Sequence, residues 1–292
     1  MQNILEVKNI NKKYKNFELK DISFSIPKGH IIGLIGENGA GKSTTIKAIL
    51  NLIKLDKGEV LFLDKPFDTS KVDLKEHIGV VFDEINFFKE TFPSQIDSIC
   101  KKMFKQWNSE VFKEYLTKFS LPESSIKSYS KGMRMKLNIA IALSHDAKLL
   151  ILDEATTGLD PVMRDDILDI FLDIIKDKEH SIIMSSHITS DLEKIANQIL
   201  FIHKGELIFL EDKKTLYKEY GKIIGNKNEL LRLINKEDIF KLNKLHGLYE
   251  FDEPIQVLVK DKEKIKEKYP SLEVFDILID DILLGYVKGE DF

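Results

Sequence analysis

The sequence of 292 residues predicts an α/β protein whose main domain is built around a mostly parallel sheet. Three observations lead to this prediction. From residue 58 onward, short apolar segments alternate with segments of helical periodicity, which is typical of parallel strands joined by helices. A glycine-rich loop at 36–44 stands between one strand-like and one helix-like segment. Another apolar segment, 149–152, ends directly in Asp153 and Glu154.

The glycine-rich loop fits the template Gly-x4-Gly-Lys-Ser/Thr. Its residues are Gly36, Glu37, Asn38, Gly39, Ala40, Gly41, Lys42, Ser43 and Thr44. The apolar run 30–35 before it predicts a buried strand, and 42–53 after it places apolar residues at helical spacing. In this context the glycines let backbone N–H groups point inward, and the helix N-terminus adds a partial positive charge. Lys42 would reach the β- and γ-phosphates and Ser43 would offer its hydroxyl to Mg²⁺, so we predict a nucleoside triphosphate site.

Further elements follow in order along the first 211 residues. The predicted strands are an edge strand at 4–7 and strands at 19–26, 58–63, 78–82, 149–152, 181–184, 199–202 and 207–210. Helical patterns run through 93–121, from about Ser130 to Leu143, from Pro161 onward and through Leu192. We therefore expect helices on both faces of the sheet and a separate helical lobe at about 93–145.

The composition changes near Glu211, where a stretch rich in Lys, Asp and Glu begins. We expect one domain at 1–211 and a small α+β accessory domain at 212–292, because apolar residues recur throughout the second stretch. Its predicted strands are 255–259 and 274–279, and its predicted helices are 228–234 and 262–268.

Composition also limits the class of partner. Lys plus Arg number 44 against 48 Asp plus Glu, a net charge of −4, so nucleic acid is not expected as the main ligand. Cys100 is the only cysteine, which excludes an intramolecular disulfide and fits a reducing compartment. The first residues lack a signal-peptide pattern, and no apolar run approaches the roughly 18 residues that span a bilayer. We expect a soluble protein that reaches a membrane only through a partner.

The acids after the strand at 149–152 suit a nucleotide site. A central strand that ends at this point would bring Asp153 beside the phosphate loop, where its carboxylate can hold Mg²⁺ directly or through water. Glu154 would then face the attacking water as a general base. Acids at a strand end are ambiguous alone, but their pairing with the glycine-rich loop favours this interpretation.

Taken together, these motifs resemble the nucleotide-binding subunit of ATP-binding cassette (ABC) transporters over residues 1–211. The glycine-rich loop resembles Walker A, and 149–154 resembles Walker B with its catalytic glutamate. Residues 129–133 resemble the signature segment, usually Leu-Ser-Gly-Gly-Gln, and this segment separates the family from P-loop kinases and GTPases. Residues 157–160 resemble the D-loop. The resemblance implies a P-loop NTPase fold of the ABC ATPase type, in which an antiparallel β edge and a helical lobe join the mostly parallel sheet.

The resemblance also implies roles for single residues. It assigns adenine stacking to Tyr14, γ-phosphate sensing to His187, and contacts with a second subunit's nucleotide to Ser130, Gly132 and Asp160. Asp160 and Ser130 are at the same time natural helix N-caps, and both roles are compatible.

Two departures from the family pattern concern function. Lys131 and Met133 replace a signature glycine and glutamine, and this variant resembles a bacterial ABC-2 type exporter branch that includes peptide and antibiotic exporters. Asp83 stands where the family has a metal-contacting glutamine. We hypothesise that Asp83 is a further Mg²⁺ ligand in the ATP-bound state, because a carboxylate can hold that ion.

The function implied by the resemblance is ATP-driven export. Two cassettes, identical or different, would sandwich ATP between Walker A of one and the signature segment of the other. Lys42, Glu154 and His187 would drive hydrolysis with Mg²⁺. An integral-membrane transporter subunit would dock at the groove formed by Phe87, Phe88, Phe92 and Pro93, which holds the protein in the cytoplasm at the inner face of the membrane. The segment 280–287 resembles the terminal helix of the exporter branch.

Three alternatives remain open at this level. A soluble ABC ATPase acting on ribosomes or DNA is disfavoured by the single cassette and the absence of a basic excess. A P-loop kinase or GTPase is disfavoured by the signature segment and His187. A regulator that does not hydrolyse ATP fits the altered signature, but the presence of Glu154 is evidence against it.

Overall fold

The computed structural model describes residues 2–68, 72–81, 88–244 and 254–289. The chain forms two compact units, residues 1–210 and 211–292. The elements of the first unit are, in chain order, β1 (Asn3–Lys13), β2 (Glu18–Pro27), β3 (Ile31–Ile35), α1 (Lys42–Ile49), β4 (Lys57–Phe62), β5 (Lys65–Pro66), α2 (Val72–Lys75), β6 (Ile78–Val81), α3 (Pro93–Met103), α4 (Ser109–Lys118), α5 (Lys131–Leu143), β7 (Leu149–Asp153), α6 (Pro161–Ile174), β8 (Ser181–Ser185), α7 (Thr189–Ile195), β9 (Gln198–His203) and β10 (Glu206–Asp212).

Two sheets organise this unit. The larger sheet has the strand order β10-β9-β3-β8-β7-β6, and the pairs from β9 to β6 are all parallel. Its central strands β3 and β8 are buried along their whole length, as expected for parallel strands covered on both faces. The smaller sheet is antiparallel with the order β2-β1-β4-β5. The predicted α/β fold with a mostly parallel sheet, an antiparallel β edge and a helical lobe is therefore confirmed.

The first strand differs from its prediction as an edge strand. It extends over Asn3–Lys13 and pairs with β2 on one side and β4 on the other. The alternation of apolar side chains reports only which face is buried, and it says nothing about how many neighbours a strand has.

The helix after the glycine-rich loop is shorter than predicted. The pattern favoured 42–53, but α1 ends at Ile49. Asn51 adopts a left-handed conformation with φ +53°, its N–H donates to the Ala48 carbonyl, and the Leu52 N–H donates to the Lys47 carbonyl. This is a Schellman ending, and it satisfies the last helical carbonyls even though apolar residues continue the helical spacing.

The helical lobe consists of α3, α4 and α5. Its aromatic cluster contains Phe104, Trp107, Phe112 and His145, with the Phe104 and His145 rings stacked 4.2 Å apart. The His145 Nδ1–H donates to the Glu76 carbonyl at 2.8 Å, and burial lowers the pKa of His145. Because Trp107 is the only tryptophan of the chain, its fluorescence reports on this lobe.

The second unit has its own secondary structure and core. Its elements are α8 (Lys213–Glu219), β11 (Gly221–Asn226), α9 (Lys227–Leu233), β12 (Lys241–Lys244), β13 (Pro254–Val259), α10 (Lys262–Lys268) and α11 (Ile279–Lys288). The strands form an antiparallel sheet in the order β11-β13-β12. Its core contains Ile223, Leu230, Ile234, Ile255, Val257, Val259 and Ile265.

The prediction of a strand at 274–279 is wrong. Phe275 makes only an isolated bridge with Lys222, and α11 begins at Ile279. The Asp281 carboxylate stabilises this arrangement, because it accepts hydrogen bonds from Lys222 Nζ at 2.8 Å, Gln256 Nε2 at 3.0 Å and the Leu278 N–H at 2.7 Å. The Leu278 bond is a helix-capping contact, so the apolar stretch turns into a helix instead of extending the sheet.

Among the described residues, no helix is both long enough and apolar enough to span a membrane.

Candidate functional site

The phosphate loop connects the end of β3 to the start of α1. Gly36, Gly39 and Gly41 all have positive φ angles, +153°, +80° and +118°. At Gly41 an added Cβ would approach Leu19 Cδ2 to 2.8 Å, so a larger residue would be both strained and crowded. Asn38 and Gly39 are exposed at the turn, Ala40 is buried, and Ser43 and Thr44 form the first turn of α1 with the Ser43 side chain exposed. The loop therefore joins a strand to a helix, which is the context that the sequence predicts.

Lys42 is buried inside this loop. Its Nζ donates to the carbonyls of Gly36 at 2.8 Å and Glu37 at 3.1 Å. Burial lowers the pKa of Lys42, while the negative charges of Glu154, Asp153 and Glu37 oppose that shift. The lysine is thus held beneath the loop and lies in the field of both acids that follow β7.

Parallel pairing of β7 with β8 positions the two acids. Asp153 lies opposite Ser185, and the Ser185 hydroxyl donates to Asp153 Oδ1 at 2.5 Å. The same serine accepts the Glu154 N–H on its Oγ at 3.1 Å, and its carbonyl lies equally close to that N–H. Ser185 precedes His187 by two residues, but its contact with Asp153 depends on strand register, so sequence inspection missed this role.

Glu154 and His187 are in direct contact. Glu154 Oε1 lies 2.6 Å from His187 Nε2, with the side chains 34% and 39% exposed. The Glu154 backbone has a left-handed φ of +55°, which costs about 1–2 kcal/mol for a residue with a Cβ. The bonds from its N–H to Ser185 hold that conformation. The structure therefore joins the two residues that the sequence proposed as base and γ-phosphate sensor.

The signature segment forms the start of α5. Ser130 is the N-cap, and its Oγ accepts the Met133 N–H at 3.2 Å. Arg134 Nε and Nη2 donate to the Tyr129 carbonyl at 3.1 and 2.9 Å. An added Cβ at Gly132 would lie 2.5 Å from Met163 Cγ, so glycine lets α5 pack closely on α6. Arg134 is a second residue that sequence inspection missed, since its partner is a backbone group.

The D-loop lies between β7 and α6. Asp160 caps α6, because its Oδ1 accepts the Met163 N–H at 3.0 Å. Arg164 Nε lies 3.3 Å from Asp191 Oδ1 and connects the first turns of α6 to α7. Burial raises the pKa of Asp191, and the positive charge of Arg164 opposes this. The helix that follows the D-loop is therefore attached to the segment that follows His187.

Tyr14 and Phe17 lie in the turn between β1 and β2. Tyr14 is 43% exposed, with Lys12 Nζ 5.6 Å from its ring centroid, and its N–H donates to the Phe17 carbonyl at 2.7 Å. Phe17 Cζ lies 3.0 Å from the position that a Gly41 Cβ would take. Phe17 is thus packed on the phosphate loop, a contact that its spacing in the sequence did not indicate.

The remaining predicted site residues concern Mg²⁺. Asp83 and Phe87 lie outside the described residues, so the metal and docking roles proposed for them stay predictions. Within the described ranges, no group of three or more His, Cys, Asp or Glu side chains is arranged to hold a metal. One hydroxyl and one carboxylate, from Ser43 and Asp153, nevertheless fit Mg²⁺, because this ion is usually held by few protein ligands together with phosphates and water.

Comparison with known proteins agrees with this geometry. Residues 19–157 match the ABC transporter family. The uncharacterized ABC transporter ATP-binding protein YhcH of Bacillus subtilis is 34% identical over 73% of this chain and 72% of its own length. The lantibiotic transport ATP-binding protein SrtF of Streptococcus pyogenes is 34% identical over 82% of this chain and 99% of its own. The linearmycin resistance ATP-binding protein LnrL of Bacillus subtilis is 33% identical over 75% of this chain and 72% of its own.

Solved structures share the fold. The cbiO1 subunit of the cbiONQ transporter complex from Clostridium perfringens superposes with a TM-score of 0.66 and 25% identity, over 74% of this chain and 91% of that one. A dimeric post-hydrolysis cassette bound to ADP and phosphate has a TM-score of 0.62 at 21% identity over 71% of this chain and 98% of its own, and shows the fold alone. The chain belongs to the ABC transporter family, as a subunit that binds and hydrolyses ATP.

Proposed function

We propose that this subunit powers an exporter of peptides, toxins or antibiotics, and that it works as a dimer with ATP sandwiched between two cassettes. The main support is the grouping of Lys42, Asp153, Glu154 and His187 around the ends of β3, β7 and β8. The export assignment rests on SrtF and LnrL, whose names state lantibiotic transport and linearmycin resistance. A ribosome-related role is not favoured by either observation.

The strand order supports a composite site. Strands β3 and β6 are separated by β8 and β7, so they lie about 14 Å apart at the usual strand spacing. The signature helix α5 packs against β6, well to the side of the phosphate loop that follows β3. Ser130 is exposed at the N-terminus of α5, where a helix favours an anionic group. A second cassette would therefore present this serine and Gly132 to the phosphates.

The residues of one cassette then have distinct tasks. The loop N–H groups and Lys42 bind the phosphates, and Tyr14 stacks on adenine. Glu154 accepts a proton from the attacking water, and His187 moves from Glu154 to the γ-phosphate. Asp160 faces the second cassette. Ser43 and Asp153 would hold Mg²⁺, which supplies neutralisation of phosphate charge when it is bound, and Asp83 remains a further candidate ligand.

A membrane subunit has an apolar surface to dock on. Phe92, the N-cap of α3, and Ile99 and Met103 on that helix recur at helical spacing and are exposed, as is Phe88 before the helix. Pro93 is buried at the first position of α3, so its side chain is not part of the exposed apolar surface. Apolar side chains that remain exposed at helical spacing mark a protein-binding face. We place the permease there, with the cassette on the cytoplasmic side of the membrane.

Mixing two inactive variants tests the composite site. Lys42→Ala removes the phosphate lysine, and Ser130→Arg blocks the signature segment, so each homodimer is inactive. In a mixed dimer of composite sites, one site keeps both intact parts, and about one quarter of the wild-type ATPase activity returns. A mixture that stays inactive, although mass spectrometry shows mixed dimers, would contradict the composite site. Circular dichroism checks that each variant is folded.

Export and docking need a cellular test. The gene is expressed with its permease gene in a susceptible bacterium, and the minimal inhibitory concentrations of a lantibiotic and of linearmycin are measured. We expect resistance that the Glu154→Gln variant abolishes. Unchanged susceptibility to both compounds would contradict the substrate class.

The double variant Phe88→Ala, Met103→Ala tests the docking surface. It should lose resistance and co-purification of the permease while keeping ATP binding, because both side chains are largely exposed, 86% and 64%.

A further inference from the structure

We propose that Lys131 is a positioning residue that fastens the signature segment to the D-loop of the same chain and thereby couples the two ATP sites. The coupling role rests on the proposed ATP-sandwich dimer, whereas the contact itself is a property of one chain. Lys131 stands where the family usually has a glycine, so this contact is a feature of the present sequence.

The contact is seen at Gly158. If Gly158 carried a Cβ, that atom would lie 3.1 Å from Lys131 Nζ, 3.8 Å from its Cδ and 3.9 Å from its Cε. The lysine stem and ammonium therefore run along the D-loop backbone. Gly158 has φ +73° and no side chain, which leaves the room that the half-buried lysine occupies. A long side chain in place of a signature glycine is thus accommodated by a glycine in the D-loop.

The helix dipole does not favour a lysine at this position. Lys131 is the first residue of α5, and the first turn of α5 contains no acidic residue. A positive charge at a helix N-terminus opposes the helix dipole, so the helix itself gains nothing from it. The side chain leaves the helix and contacts the D-loop at Gly158.

The surrounding packing makes the contact effective. Gly132 lets Met163 of α6 approach the adjacent turn of α5, and Lys136 Nζ lies 3.6 Å from Asp166 Oδ2 one turn further along. The two helix starts are therefore close-packed, and packed elements transmit small displacements instead of absorbing them. A shift of the signature segment would move the D-loop with it.

The D-loop in turn leads back to the base of the same chain. The Thr157 N–H donates to the Glu154 carbonyl at 3.1 Å, and the Leu159 N–H donates to the Thr156 carbonyl at 3.3 Å. In the sandwich, the signature segment faces the ATP held by the partner, whereas Glu154 serves the ATP held by its own chain. Lys131 thus connects the partner's nucleotide to the chain's own catalytic base.

Hydrogen exchange of the isolated full-length chain tests the contact. We expect Lys131→Ala to speed exchange of the D-loop amides, Thr157 and Leu159, by roughly 2- to 30-fold, the range typical of side chains that link two sites. Lys131→Arg should restore slow exchange, because it keeps a long cationic side chain. Lys136→Ala is the matched control. It removes a lysine that bridges the same two helices away from the D-loop, and it should leave those two amides unchanged.

ATP hydrolysis by the same proteins tests the coupling. Wild type should respond cooperatively to ATP, and Lys131→Ala should lower the Hill coefficient from about 2 toward about 1 while kcat falls more than KM rises. Lys131→Arg should recover the cooperativity.

The opposing outcomes are separable. Unchanged D-loop exchange in Lys131→Ala together with a several-fold rise in KM would make Lys131 a direct phosphate ligand and overturn the proposal. Faster exchange with unchanged cooperativity would overturn the coupling. Failure of the sandwich itself would appear independently, as a mixture of the Lys42 and Ser130 variants that stays inactive.

Discussion

At the scale of single residues, the contact between Glu154 and His187 lies at the centre of the proposed catalytic site. The carboxylate is held by the imidazole at 2.6 Å, and the strained Glu154 backbone is held by Ser185. Strain of this kind persists only where neighbours impose it, and it is common where a side chain must be aimed at a reacting atom. We therefore expect hydrolysis to depend on the placement of the Glu154 carboxylate.

We predict that Glu154→Gln lowers ATP turnover by at least about 100-fold while ATP binding persists, because the amide keeps the shape of the side chain but cannot accept the proton. A steady-state ATPase assay measures turnover, and light scattering after size-exclusion chromatography detects the ATP-bound dimers that should accumulate. Glu206→Gln, at an exposed carboxylate paired with Lys20, is the control and should behave as wild type. Normal turnover of Glu154→Gln would refute the base assignment.

At the scale of elements, the signature helix depends on a contact between a side chain and its own N-terminal turn. The Arg134 guanidinium makes two hydrogen bonds to the Tyr129 carbonyl, and Tyr129 is buried with its hydroxyl bonded to the Pro122 carbonyl at 2.5 Å. Ser130 lies directly after this anchored residue. Its direction is therefore set by Arg134 as well as by its own capping bond.

We predict that Arg134→Met destabilises the first unit by about 1.5–3 kcal/mol, the usual loss when hydrogen bonds from a charged group disappear. ATP turnover should fall more than this loss of folded protein explains, because Ser130 keeps its capping bond but loses the support of Arg134. Urea unfolding followed by Trp107 fluorescence measures the stability, and the ATPase assay is made well below the unfolding midpoint. Turnover equal to wild type in the folded variant would rule out a positioning role for Arg134.

The helical lobe should be sensitive to acid through His145. Burial holds the pKa of folded His145 below its usual value near 6.5, so between those values the unfolded chain binds a proton that the folded chain does not. The contribution of neutral His145 to the free energy of unfolding is therefore fully present above about pH 6.5. It is lost as the pH falls, and the free energy of unfolding decreases by at most about 1.4 kcal/mol per pH unit because of this residue.

His145→Phe tests this expectation. The substitution retains an aromatic ring against Phe104 but removes the titrating group, so the variant should lose less stability than wild type between pH 8 and pH 5.5. Trp107 fluorescence in urea at several pH values measures the difference. Parallel stability curves for the two proteins would contradict the assignment of the pH dependence to His145.

At the scale of the whole molecule, two units each have a core of their own. The core of the second unit contains Val257 and Ile265, which belong to its sheet and to α10. Separate cores predict separate unfolding, since a cavity weakens the contacts around it and not those of another core.

We predict that Ile265→Ala destabilises the second unit by about 2–5 kcal/mol and leaves the Trp107 transition of the first unit in place. Hydrogen exchange of the amides in β11 measures the loss, and Trp107 fluorescence checks the first unit. Leu137→Ala, on the buried side of α5, should lower the stability reported by Trp107 and leave the exchange of the β11 amides unchanged. Coincident shifts of both probes in either variant would show that the units unfold together.

Much of this organisation could be predicted from local sequence. The glycine-rich loop, the acids after β7, the N-caps Ser130 and Asp160, and the start of α6 at Pro161 all depend on residues close together in the chain. Backbone conformation, capping and strand burial are governed by such short-range patterns. The predicted helix at Lys262–Lys268 has the same bounds in the structure for the same reason.

The local patterns could not predict which strand or side chain each residue contacts. Strand β1 proved to be internal, 274–279 did not form a strand, and α1 ended at Ile49, because each outcome depends on a neighbour or a backbone bond that the hydrophobic pattern does not encode. The contacts of Ser185 with Asp153 and of Lys131 with Gly158 likewise arise from strand register and helix packing. The partner of Arg134 is the Tyr129 backbone carbonyl, a group that residue types do not reveal.

The sequence by itself therefore determined which chemistry we propose for this protein, since the glycine-rich loop with Lys42, the acids after β7 and His187 are identified by residue type and by their order in the chain. Only the tertiary structure decided how those groups are held and connected. Hydrogen bonds and packing between segments distant in the chain form only after β7, β8, α5 and α6 have assembled, and the energy of such contacts depends on distances that residue order does not specify.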